Sequence, residues 1–184
     1  MIRIGVTGHR ILAELGKIEL GVEKALARVE RLFPLESLTV ISGLAEGADR
    51  IVARHVLTRP DSLLVVPLPL DESDYIRDFG SQESRAEFST LLELASKIER
   101  MPPAPARDQA YEAAGEYVLN NSDVLLTIWD GQPPQGRGGT ADIVSRARKL
   151  KLRIAWVHAG NREPGANQPT MLGDEQGQVT FENF

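Results

Sequence analysis

Cysteine is absent from the 184 residues, which rules out disulfides, thiolate nucleophiles and Cys-ligated zinc. Aromatic residues are scarce, at 5%, so the core has to be built from Leu, Ile, Val and Ala. There is no run of Lys and Arg, and the formal net charge is −5; without a basic field the chain is poorly suited to a polyanion, which argues against a nucleic-acid partner. No apolar stretch approaches the roughly 20 residues that span a bilayer. The segment Met1-Ile2-Arg3-Ile4-Gly5-Val6 reads as a strand rather than a signal peptide. His55 and His158 have no partners at metal-ligand spacing, so neither a metal nor a bound cofactor is expected. The expected location is the cytoplasm.

What is present is ordinary in bulk and informative in order. Apolar content of 42% and charged content of 26% suit a globular chain, and the length fits one domain with a sizeable core. Short apolar runs at 2–6, 38–41, 63–66, 123–129 and 153–157 predict strands buried on both faces. Helical spacing predicts helices over 15–33, 45–57, 84–98, 107–120 and 140–150, with a polar, Asp-rich loop over 71–80. Asp71, Asp74, Asp78 and Glu83 in and beside that loop lack calcium-loop spacing and read as solvated. Strands alternating with helices predict an α/β fold: a Rossmann-like three-layer sandwich around a mostly parallel, doubly wound sheet of about five or more strands. This domain is expected over 1–158. Residues 159–184, rich in Gly, Pro, Asn and Gln, read as a polar tail, mobile or laid over the surface, in which only 179–181 resembles a strand.

Three glycine-bearing loops each join a strand to a helix. They are Thr7-Gly8-His9-Arg10, Ser42-Gly43-Leu44-Ala45-Glu46-Gly47-Ala48-Asp49, and Asp130-Gly131 running through Gly138-Gly139-Thr140. In a parallel sheet such loops gather at the carboxyl ends of the strands, where free N–H groups and helix N-termini face one crevice and favour an anion. Gly8, His9, Arg10, Ser42, Gly43, Glu46, Gly47, Asp49, Asp130, Gly138, Gly139 and Thr140 are the candidate ligand-binding residues. Asp49 also reads as a helix-capping residue, paired with Arg50. The run Gly136 to Ala141 fits G-x-G-x-x-A, but it follows the fourth strand and no acid ends the strand after it, so a dinucleotide fingerprint is rejected.

At these loops the chain resembles the SLOG superfamily. The carrying residues are Gly5-Val6-Thr7-Gly8-His9-Arg10, the S-G-x-A-x-G-x-D element Ser42 to Asp49, and Gly138-Gly139-Thr140-Ala141-Asp142. That superfamily includes LOG-type phosphoribohydrolases, DprA-type DNA-processing proteins and many uncharacterised nucleotide-binding domains, and the resemblance is closest to the last. It implies a Rossmann-like sheet that binds a nucleotide or nucleotide-derived molecule, commonly as a homodimer. The LOG-type element P-G-G-x-G-T-x-x-E ends in a catalytic Glu; here that position is Ile143, and Asp142 stands one residue earlier. One residue is about 100° around a helix.

Three functions remain open from sequence. The first is a module that binds a nucleotide-derived signal. The second is an enzyme cleaving the N-glycosidic bond of a nucleoside monophosphate, with Glu46, Asp130 or Asp142 as the candidate catalytic carboxylate. The third is an oligomeric interaction protein with a vestigial pocket.

Overall fold

Leu38–Ile41 and Val124–Trp129 are buried along their whole length, as strands covered by helices on both faces must be. A computed structural model describes residues 1–133, 138–160 and 175–184. Gly136 and Arg137 of the G-x-G-x-x-A run, and most of the expected tail, lie outside the described residues.

In chain order the elements are β1 (Ile2–Gly8), α1 (Leu15–Leu32), β2 (Leu38–Ile41), α2 (Ala48–Leu57) and β3 (Leu63–Leu68). Then come α3 (Glu72–Tyr75), a 3-10 turn (Ile76–Asp78), α4 (Gln82–Glu93), β4 (Lys97–Arg100) and α5 (Arg107–Asn120). The rest are β5 (Val124–Trp129), α6 (Thr140–Lys149), β6 (Arg153–His158) and β7 (Val179–Glu182). The seven strands form one sheet in the order β4-β3-β2-β1-β5-β6-β7. Every neighbouring pair is parallel except β6 and β7. Helices α1, α2 and α4 cover one face, packing Val22, Leu26, Val52, Val56 and Phe88 into the larger core cluster. Helices α5 and α6 cover the other, where Val118, Leu125, Trp129, Ile143 and Ile154 meet. This is the expected three-layer, doubly wound α/β architecture.

The sequence reading differs from the structure in three segments. The helix expected over 84–98 ends at Glu93, and Lys97–Arg100 is an edge strand parallel to β3. Its single apolar residue, Ile98, satisfies either periodicity; Ser96 decides the matter, donating from both N and Oγ to Leu64 O at 2.8 Å. The Asp-rich stretch is not a solvated loop. Tyr75 and Phe79 are four residues apart on one side of a helical turn, pack edge-on at 5.1 Å, and bury against Phe88. Asp74 and Asp78 instead face Arg107 of α5, at 2.8 and 2.6 Å. Finally, the run 179–181 that resembles a strand is one, but it belongs to the sheet rather than to a tail: Val179–Glu182 pairs antiparallel to β6.

Among the described residues, no helix is long and apolar enough to cross a membrane.

Candidate functional site

β1 lies between β2 and β5, and the chain winds outward through β2, β3 and β4 before returning to β5 on the other side. The carboxyl ends of β1 and β5 therefore flank the topological switch point, where ligands of open α/β sheets bind. Backbone bonds tie the loops there together. His9 N donates to Ile128 O at 2.9 Å, and Ala48 N donates to His9 O at 3.0 Å. This close approach requires Gly8: a Cβ there would lie 2.4 Å from Ala48 Cβ and 2.5 Å from Ile128 O. It requires Gly47 as well. That residue has φ of 76°, and a Cβ on it would meet Arg10 O at 2.4 Å.

A cavity of about 540 Å³ opens at these strand ends, within the size range of small-molecule sites. Gly138, Gly139 and Thr140 line one part of it, placing the N-terminus of the ten-residue α6 on the cavity. The first-turn amides of a helix have no acceptor within it and carry the positive end of its dipole. Arg10 lines the cavity too. Among the described residues its guanidinium makes no hydrogen bond or ion pair; it overlies the Tyr111 ring, 5.7 Å from the centroid, and acts through space on Asp49. Elsewhere the lining is Gly43, Asp49, Tyr75 and the prolines Pro67 and Pro69 at the end of β3.

The electrostatics follow from burial. Desolvation pushes the Asp49 carboxyl up to about 6, against the opposing pull of the Ala45 N–H, the Ser42 hydroxyl, Arg10 and Arg50. Burial also raises the Tyr75 hydroxyl, and the neighbouring Asp49 carboxyl adds to that. Burial lowers His9 below the ordinary imidazole value, while Asp130 opposes the shift.

Of the residues singled out from sequence, Gly8, His9, Arg10, Gly43, Asp49, Gly138, Gly139 and Thr140 all line the cavity. Ser42, Glu46, Gly47, Asp130 and Asp142 do not. Ser42 is fully buried and organises its own turn, accepting from Leu44 N and donating to Asp49 O. The Glu46 carboxylate turns to the start of α4, where it accepts from the Ser84 hydroxyl and from Gly80 N. Asp130 caps its own loop by accepting from Gln132 N at 3.0 Å. Asp142 accepts from Gly138 N at 3.3 Å, holding the turn before α6. The three carboxylates proposed for catalysis thus have local partners, whereas among the described residues Asp49 and Asp108 are the carboxylates on the cavity wall. Arg50 does not bond to Asp49; it is buried and bridges Leu44 O, Ser84 and Glu87.

Tyr75, Tyr111 and Asp108 were not foreseen as site residues. The aromatic pair Tyr75 and Phe79 at i, i+4 within an otherwise acidic stretch was the available signal for a packed element there. Nothing local marks Tyr111 or Asp108 as lining a site.

Compared with known proteins, the chain matches no protein-family model and no curated protein.

Proposed function

We propose that the cavity binds a nucleotide or nucleotide-derived small molecule, with its phosphate at the N-terminus of α6. The observation that carries this reading is the meeting of two anion-seeking groups on one cavity: the first turn of α6 and the Arg10 guanidinium, which makes no hydrogen bond or ion pair among the described residues. Oriented amides and a dipole hold an anion without net positive charge on the protein, which fits a chain of net charge −5. Arg10 adds a bidentate donor. The volume leaves room for a sugar and a base beside the phosphate. The resemblance to the SLOG superfamily points the same way and adds self-association as a dimer, which light scattering on the purified chain tests.

The test of binding is calorimetry with nucleoside monophosphates, dinucleotides and cyclic dinucleotides on the wild type and on Gly139→Arg. A Cβ on Gly139 meets nothing within 4 Å among the described residues, so the arginine side chain can be added at the helix start without forcing their backbone. Binding in the wild type and its loss in a variant with unchanged melting temperature support the reading. No binding by any of these compounds overturns it and favours an interaction protein.

A second reading, hydrolysis of an N-glycosidic bond, is favoured by the placement of Asp49, a carboxyl on the cavity wall that burial pushes up to about 6, toward the range an acid–base group uses. Release of free base from a panel of monophosphates tests it, and absence of release sinks it.

A further inference from the structure

Two polar oxygens converge in front of Gly43. A Cβ built there would lie 3.5 Å from Asp49 Oδ2 and 3.8 Å from Tyr75 Oη, so both reach the same space, which glycine leaves open. Tyr75 is only 2% exposed and lines the cavity, yet its hydroxyl has no hydrogen-bond partner among the described residues. The ring is buried, but the hydroxyl is not one of the sealed polar atoms left without a partner, so its oxygen opens onto the cavity and can bond to what occupies it. Such a group, aimed into a cavity, is matched by something that enters the cavity.

The chemistry of the pair defines what that is. Tyr75 stays a phenol at any ordinary pH, because burial and the adjacent carboxyl raise it, and so it donates. Above a pH of about 6 Asp49 is ionised and only accepts. The groups facing Asp49 are Arg10 from the loop after β1, Arg50 from α2 and Tyr75 from α3; Asp108 and Tyr111 of α5 line the same cavity. Pro67, Pro69 and the Tyr111 ring supply apolar wall against which a planar ring can lie. A donor next to an acceptor is complementary to an amino group next to an unprotonated ring nitrogen. A carbonyl in place of the amino group would set its lone pairs against the carboxylate.

We infer that this end of the cavity selects nucleotides whose base carries, on its Watson–Crick edge, an exocyclic amino group beside an acceptor nitrogen, as adenine and cytosine do and guanine, with its protonated N1, does not. Asp49 accepts from the amino group, and Tyr75 donates to the ring nitrogen. The inference rests on the nucleotide reading above.

Calorimetry of the full chain with the matched pairs AMP and IMP, CMP and UMP, together with GMP, tests it at about pH 8. The expected result is that the amino-bearing member of each pair binds about tenfold or more tightly. Tyr75→Phe keeps the ring packing and removes the hydroxyl, so it should cut that preference while the melting temperature holds. In Asp49→Asn an amide nitrogen can donate where the carboxylate accepts, which should move the preference toward IMP and UMP. At about pH 5 the protonated Asp49 donates, and the wild-type preference should shrink. Equal binding within each pair, tighter binding of GMP, or a preference unchanged in Tyr75→Phe overturns the inference while leaving the nucleotide reading intact. Failure of all five to bind, in a protein shown to be folded, overturns both.

Discussion

His9 Nε2 lies 3.1 Å from the backbone nitrogen of Asp130 and 3.2 Å from that residue's Oδ1, so one ring nitrogen meets a donor and a carboxylate together. Accepting from the N–H requires a neutral ring with its proton on Nδ1; pairing with the carboxylate requires the imidazolium. Burial favours the neutral form. This contact joins the loop after β1 to the loop after β5 across the switch point, so its protonation state bears on the geometry of the crevice.

For His9 itself, nitrogen NMR is expected to show the Nδ1–H tautomer at neutral pH and a titration midpoint below 6.5. Because the folded value lies below the unfolded one, this residue's contribution to stability is complete above 6.5 and is lost as pH falls through the folded value. Asp130→Asn removes the charge that opposes the shift, so the midpoint should fall further. A midpoint at or above 6.5 in the wild type would contradict the assignment.

Asp49 has the opposite sign. Its carboxyl is raised from 3.8 to about 6, so its contribution favours the fold below about 3.8 and is lost as pH rises through about 6. Asp49→Asn should therefore stabilise the protein at neutral pH by about 1 kcal/mol, or about 2–4 °C in melting temperature for a chain of this size. It should also flatten the stability profile between those pH values. Thermal denaturation across that range measures both effects. Stabilisation on neutralising a cavity carboxylate is the usual mark of a group kept for function rather than folding.

The glycines divide by what surrounds them. Gly47→Ala puts a side chain on a residue with φ of 76° and drives it into the Arg10 and His9 carbonyls, so a loss of about 2 kcal/mol or more is expected. Gly139→Ala meets nothing among the described residues and should change stability by no more than about 0.5 kcal/mol. Denaturant midpoints of the two variants, with equal m-values, check the contrast.

Arg50 should be the most costly polar residue to remove. Its Nε donates to Leu44 O at 2.9 Å, its Nη1 donates to Ser84 O at 2.8 Å, and the guanidinium lies 4.4 Å from the Phe79 ring centroid. Leu44 is a buried residue held in the left-handed region, at φ of 56°, so its turn depends on such support. Arg50→Ala is expected to cost about 3–5 kcal/mol and to loosen α4, seen as faster amide exchange over 82–93. Arg50→Lys should recover only part of this, because an ammonium cannot span the same acceptors.

The fold and eight of the twelve candidate ligand-binding residues were legible for one reason: strand-to-helix turns carry their own sequence marks. Gly8, Gly43 and the Gly138–Thr140 segment announce strand ends, and in a parallel sheet all strand ends share an edge. Orientation was not legible. Glu46 and Asp130 sit in the marked loops, but whether a carboxylate faces the crevice or bonds to Ser84 or Gln132 is decided by neighbours distant in sequence or by the local turn. The same holds for Tyr75. Its segment reads as polar on composition, and only Phe88 and Phe79, folded against it, show that it is an inner wall. The edge strand β4 escaped because four residues with one apolar side chain carry no usable period.

Gln176 has reach beyond its own segment. Its side chain donates to Ala13 O at 2.7 Å and accepts from Gly160 N at 2.9 Å, clasping the stretch that follows Arg10 to the end of β6. Gly177 sits against Lys17 so closely that a Cβ there would come within 2.2 Å of its carbonyl oxygen. The backbone three residues beyond Arg10 is thus tied to a residue 163 positions further along the chain. Clipping the chain before that glutamine would release the Ala13 carbonyl and strip β7 from the sheet, loosening the segment that carries Arg10 without deleting any residue that lines the cavity.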